Sequence, residues 1–367
     1  MPPDQKPHLI DFNSPPTVKP LITVLLCFYL SYWVSGCAVA MKQPIAISQA
    51  RLAGTGNEIS ERAAIYARVK RLFIAEDFKA LEQLAQTYRT TKGKTRSGRM
   101  KLSVFYEGIR KLAASSYHPH DFRNSIELKA GRWSVQFSNS PTPEIANAII
   151  TLAQAHKYRD SGLSPEDSPG VWERYYNLLR LARQSLLERP GVAEQDPTWY
   201  QVMFDIAAEE DWGSRQYYLL VSRALAEAPD YPEIFLSAAR YYLSPGNEDK
   251  VMLERLARLV TDRTKDKEGM AMYARIYSFA SHHDHQNRLF RDPRMDWGKI
   301  KQGINDVLGA YPDQWNINNF ARMACIAGDR DTTRELIEKI HDGPVPQVWQ
   351  GKPTFSHCQV WAVGNLI

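Results

Sequence analysis

Four neighbouring residues, His282-His283-Asp284-His285, are the densest group of metal-ligating side chains in the sequence. His282 and His285 can chelate one cation from a helix end, with Asp284 nearby. A zinc site needs three or four such ligands. The distant segment His118-Pro119-His120-Asp121 is the one candidate to complete it. A plain structural role is the favoured reading of the cluster. It follows a helix expected to end near Ser281, where the macrodipole favours histidine. Other chemistry is hard to find. The sequence holds no GxxxxGK[ST], GxGxxG, HExxH or GxSxG pattern. Glu209, Glu210 and Asp211 are adjacent, so they diverge around a helix and make a poor acid/base pair. No catalytic residue and no cofactor are indicated. The weight falls against an enzyme without deciding the matter.

The cysteines carry a second kind of chemistry. Residues 21–34, LITVLLCFYLSYWV, are uncharged and almost all apolar, and Lys19 precedes them. That is the layout of an export signal. The run ends Val34-Ser35-Gly36-Cys37, which resembles the bacterial lipobox. The resemblance implies that the Cys37 thiol takes a diacylglyceryl group before cleavage, and that acyl chains then moor the mature chain to a membrane. Ala38 follows, which resembles the pattern of lipoproteins sent to the outer membrane. The alternative is a single uncleaved inner-membrane span, since Leu21 to Met41 is a 21-residue uncharged stretch. Of the four cysteines, Cys27 would leave with the signal and Cys37 would be acylated. Cys325 and Cys358 remain, either as a disulfide in an oxidising compartment or as two buried thiols. A bridge between them would add about 3–4 kcal/mol.

Three tyrosine doublets, Tyr175-Tyr176, Tyr217-Tyr218 and Tyr241-Tyr242, recur on successive expected helices. Neighbours on a helix point about 100° apart. Tyr176, Tyr218 and Tyr242 are therefore candidates for a peptide-binding surface, if they line a concave face; otherwise both members of each doublet pack between helices. The net charge of +5 is unchanged when residues 1–36 are removed, and the charges are interspersed. The densest basic run, Lys92, Lys94, Arg96, Arg99 and Lys101, reads as a solvated loop, so no nucleic-acid partner is expected.

The elements that must position these residues are helices. Residues 1–36 read as a lipoprotein signal and 37–58 as a flexible tether. Residues 59–195 read as an N-terminal helical region opening at Ser60, with helices after Asp77, around Leu102–Leu112, over 143–158 and over Pro169–Glu188. A stretch near 115–142 reads as irregular or β, because Glu127–Phe137 alternates weakly. Residues 196–342 form four helix–turn–helix units: 198–210 with 214–228, 232–243 with 248–261, 267–281 with 297–310, and 314–327 with 330–341. Residues 343–367 form a C-terminal tail. Units of roughly 34–45 residues are what helical solenoids use, and each must stack to bury its apolar face. The expected fold is all-α, with helical hairpins stacked as a solenoid similar to tetratricopeptide repeats. The strict repeat motif is not met, because its tryptophan, glycine and tyrosine are missing from the first helix.

Scattered phrases carry a further resemblance. They include Phe78-Lys79-Ala80-Leu81-Glu82, Gly98-Arg99-Met100-Lys101-Leu102, Trp133 before Ser140-Pro141, Asp196-Pro197-Thr198-Trp199, and Phe320-Ala321-Arg322-Met323-Ala324-Cys325. Together they resemble a bacterial domain-of-unknown-function family over roughly residues 70–340. An Arg-Gly pair that such proteins often carry is split here at Arg159 and Gly162. The resemblance implies a helical, repeat-like fold and transfers no active site. The expectation is a membrane-tethered periplasmic scaffold that binds a protein partner. The alternative is a metal protein or enzyme using His282–His285.

Overall fold

The computed structural model describes residues 57–115, 121–244, 248–283 and 289–364. Cys37, the 21–41 stretch, His118, His120, Asp284 and His285 lie outside the described residues. Among those described, the chain folds as sixteen α-helices without a sheet. No described helix is long and apolar enough to cross a membrane.

Fourteen helices alternate between two layers. The inner layer is α1 (Glu58–Ile74), α3 (Lys101–Ala114), α5 (Pro141–Arg159), α8 (Thr198–Glu209), α10 (Pro232–Tyr241), α12 (Ala271–Ser281) and α14 (Gln314–Ala327). The outer layer is α2 (Phe78–Thr91), α4 (Asp121–Gln136), α6 (Pro169–Glu188), α9 (Ser214–Glu227), α11 (Lys250–Glu268), α13 (Trp297–Ala310) and α15 (Arg330–Glu338). A one-turn helix, α7 (Pro190–Ala193), links α6 to α8, and α16 (Phe355–Val363) ends the chain.

Each inner helix packs on the next, and α14 returns to meet α1, so the stack closes into a ring. At the closure the Glu58 amide donates to Asp313 Oδ2 at 3.2 Å, and the Arg62 guanidinium lies 4.1 Å from the centre of the Trp315 ring. The composition of the helices explains the layering. Inner α12, AMYARIYSFAS, buries nine of its eleven residues, whereas outer α6 buries only the stripe Tyr175, Leu179, Ala182, Arg183 and Leu186. Each outer helix returns the chain, so all inner helices run the same way around a common lumen. Asp77, Asp249, Asp296, Asp313 and Asp329 cap helices through first-turn amides.

Four local expectations are corrected. Residues 121–136 are the helix α4, neither irregular nor β. Ile126, Ala130 and Trp133 form its buried stripe, but Leu128 and Val135 are 61% and 82% exposed and imitate strand alternation. Trp133 anchors it, stacked 5.8 Å from Phe78, with Nε1 donating to Glu82 at 2.7 Å. The first helix is capped by Asn57; Ser60 is the third residue of a capping box. Lys267 belongs to α11, which stops at Gly269 (φ 56°). The basic run at 92–101 is no solvated loop. Thr95, Ser97 and Met100 are buried, and Lys94 and Met100 form a single antiparallel bridge across a tight turn.

That turn closes one end of the ring. Glu58 accepts from Thr95 Oγ1 at 3.0 Å and from the Ser97 amide at 2.8 Å. The Ser97 carbonyl accepts from Arg275 Nη2 and Asn316 Nδ2, both at 3.0 Å. Met100 donates its amide to Glu233 Oε1 at 3.0 Å. These partners lie near the N-terminal ends of α1, α10, α12 and α14, so the turn is the floor of the lumen. Gly98 (φ 86°) is required at its tip: a Cβ there would stand 2.6 Å from Arg275 Nη2 and 2.9 Å from the Tyr311 ring.

Candidate functional site

Above the floor the lumen holds two adjoining cavities. One, of about 390 Å³, is lined from α1, α8, α10, α12 and α14 and from the segment 347–348. The other, of about 400 Å³, is lined from α3, α5, α8 and α10. Arg99, Gln201 and Arg240 line both, so the two are continuous.

The lining is strongly polar. Six arginines face the two cavities: Arg62, Arg99, Arg110, Arg159, Arg240 and Arg275. Four carboxylates accompany them: Glu107, Asp205, Glu209 and Glu233. Several groups are spent on each other. Arg99 pairs with Glu107 at 3.0 Å, Arg110 with Asp205 at 3.1 Å, and Arg159 with Glu209 at 3.4 Å. His156 Nε2 also meets Glu209, at 2.7 Å.

Other groups are left over. Glu233 is 4% exposed, and its Oε2 has no hydrogen-bond partner among the described residues. Burial pushes its carboxyl above the usual glutamate range, against the opposing pull of Arg99. Asp205 Oδ1, Arg62 Nη2 and Arg240 Nε are also buried without a hydrogen-bond partner among the described residues, although Arg240 Nη1 stands 3.7 Å from Asp205 Oδ1 and Arg62 Nε pairs with Glu58 at 2.6 Å. Arg275 has no carboxylate within ion-pair distance among them. It donates to the Ser97 carbonyl and lies 5.6 Å from the centre of the Tyr311 ring. Burial lowers its pKa, against the fields of Glu268 and Glu233. Unpaired buried charge is costly unless something else satisfies it.

The structure places His282 and His283 at the end of α12, both lining the first cavity. His282 Nε2 meets Asn319 Oδ1 at 2.7 Å, and Nδ1 faces Arg322 Nη1 at 3.4 Å. Burial and then the Arg322 charge hold His282 below the ordinary histidine range. An imidazole with both nitrogens engaged, beside a guanidinium, is a poor start for a cation site. Among the described residues no three His, Cys, Asp or Glu side chains are grouped to hold a metal.

Cys325 and Cys358 form a disulfide, with Cα atoms 5.8 Å apart. It fastens α16 to α14 and holds the tail against the ring. Val345 and Trp349 both donate to Asn318 Oδ1, at 3.0 and 2.7 Å, and Gln347 and Val348 become cavity wall. The tail is thus part of the site.

The tyrosines do not make a concave surface. Tyr176 and Tyr218, 53% and 39% exposed, stand on the outer helices α6 and α9. Tyr242 is 6% exposed and packs edge-on to Tyr217 and Tyr241, so it is not a surface residue.

Sequence reasoning missed Arg62, Asp205, Glu233, Arg240 and Arg275. Their signal is a charge set inside an apolar helix, as in TWYQVMFDIAAE and AMYARIYSFAS. Compared with protein-family models, curated proteins and solved structures, the chain matches none.

Proposed function

We propose that this chain is a cell-envelope binding protein, tethered to a membrane through Cys37, that receives a polar ligand in the lumen of its helical ring. The observation that supports binding is the convergence on one cavity of buried polar atoms without a hydrogen-bond partner among the described residues: Glu233 Oε2, Arg62 Nη2 and Arg240 Nε. Such atoms cost about 1–3 kcal/mol each while unmet, so a ligand that meets them gains affinity from the same interactions. The tether is supported by the apolar run 21–34 and by Val34-Ser35-Gly36-Cys37. The Cys325–Cys358 disulfide suits an oxidising compartment. Binding by the lumen replaces an outer tyrosine groove as the favoured mode, and a protein partner would have to insert a polar segment there.

Two measurements test the reading. Intact mass of the native protein should show an acylated Cys37 at the N-terminus, and Cys37→Ser should release the chain from membranes. Native mass spectrometry of gently purified protein should show a bound small molecule that leaves on unfolding. An intact leader would overturn the tether. An empty lumen that stays empty against a broad panel of polar metabolites would overturn the binding role.

A further inference from the structure

We propose that the ligand is an acidic saccharide, threaded along the lumen with its acid groups on the arginines and its hydroxyls on the carboxylates and carboxamides. The inference rests on the lumen being the binding site and adds the ligand's chemical class.

Three features of the wall lead there. First, the cations form a ladder rather than a cluster. Arg62 and Arg275 are each the fifth residue of their inner helix, close to the floor. Arg240 is the ninth residue of α10 and Arg110 the tenth of α3. Arg159 ends α5. The inner helices run in parallel and rise about 1.5 Å per residue, so the charges sit at successive heights. A single phosphate would be served by converging donors at one height. A chain with an acid on each unit suits the ladder. It shares the arginines that already face a carboxylate (Arg62, Arg110, Arg159 and Arg240) and meets Arg275, which has none within ion-pair distance among the described residues.

Second, the cavity wants donors as well as acceptors. Glu233 Oε2 and Asp205 Oδ1 lack hydrogen-bond partners among the described residues, while Arg62 Nη2 and Arg240 Nε lack acceptors. Hydroxyl groups answer both needs, because each donates and accepts. A peptide's backbone amides also donate, one per residue, so what favours a saccharide is its denser rim of hydroxyls, each of which both donates and accepts. Third, Trp315, Phe279 and Phe320 line the same cavity as Asn316, Asn319 and Gln201. Aromatic rings beside carboxamides suit a ligand with apolar C–H faces and a rim of hydroxyls.

Calorimetric titration of the purified, detergent-extracted protein tests this with three probes of equal length: trigalacturonic acid, maltotriose and triglutamate. Trigalacturonic acid should bind at least tenfold more tightly than either of the others. Its affinity should fall with added salt. Arg275→Gln and Arg62→Gln should each weaken it at least tenfold and weaken maltotriose by a smaller factor. Tyr176→Ala, on the outer face, should change nothing. Circular dichroism and melting temperature confirm that each variant is folded, and Arg240→Gln serves if either floor variant is not. Equal binding of maltotriose would overturn the acid preference, and equal binding of triglutamate would overturn the saccharide. Failure of all three probes would sink the ligand class, while a molecule released on unfolding would still uphold the lumen as a binding site.

Discussion

Two buried glutamates on the axis of this ring have opposite fates. Glu58, in the floor, accepts from Thr95, the Ser97 amide and Arg62. Glu233, one level into the lumen, accepts from the Met100 amide through Oε1 and from nothing among the described residues through Oε2. Burial pushes both carboxyls up. At Glu58 the Arg62 charge and the donated hydrogen bonds outweigh burial and hold the carboxyl below the ordinary range. At Glu233 burial wins. The lesson is that burial alone does not mark a structural charge. A satisfied carboxylate cements the fold, and an unsatisfied one on a cavity wall leaves an acceptor open to a donor.

The comparison breaks most sharply at Glu58. Glu58→Ala should cost about 3–5 kcal/mol in urea unfolding, because Arg62 and the floor turn lose their shared partner. The pH response follows from the direction of the shift. A lowered carboxyl stabilises the fold above the ordinary glutamate range and loses that contribution as pH falls through its folded value. Glu58→Gln should therefore flatten the acid limb of a melting curve taken against pH. An unchanged limb would show that the floor network contributes little.

Removing the disulfide comes next. Cys358→Ser should cost about 3–4 kcal/mol, with loss of protection from exchange first in the tail and last in the inner helices. A loss spread evenly through the ring would mean that the tail is no separate wall. Gly98→Ala should cost about 2 kcal/mol or more, since it forces a left-handed backbone and a clash with Arg275 and Tyr311. Wild-type stability in that variant would show that the turn does not hold its place as a floor.

The smallest expected effect sharpens the contrast. Glu233→Gln should be neutral or stabilising by about 1 kcal/mol at neutral pH, the reverse of Glu58. A raised carboxyl costs stability when ionised, so this gain should shrink as pH falls and the wild-type group takes up its proton. Paired melting curves across pH check the sign. A loss as large as that at Glu58 would make Glu233 a second structural carboxylate.

Much of the fold was written locally. Capping aspartates and turn glycines mark the hairpins from Thr198 to Glu338, because helix ends and apolar periods are decided by residues three or four apart. The pattern misled at α4, where exposed Leu128 and Val135 masked the stripe ending at Trp133. It misled again at the basic turn, whose partners Glu58, Glu233 and Glu268 lie far off in sequence. Closure of the ring was beyond sequence reasoning. It depends on small rotations accumulated over seven helix pairs until Glu58 meets Asp313, 255 residues away. The candidate site was hidden for the same reason. A charge within an apolar helix declares itself buried, but only the assembled ring shows that Arg62, Glu233 and Arg275 look into one space.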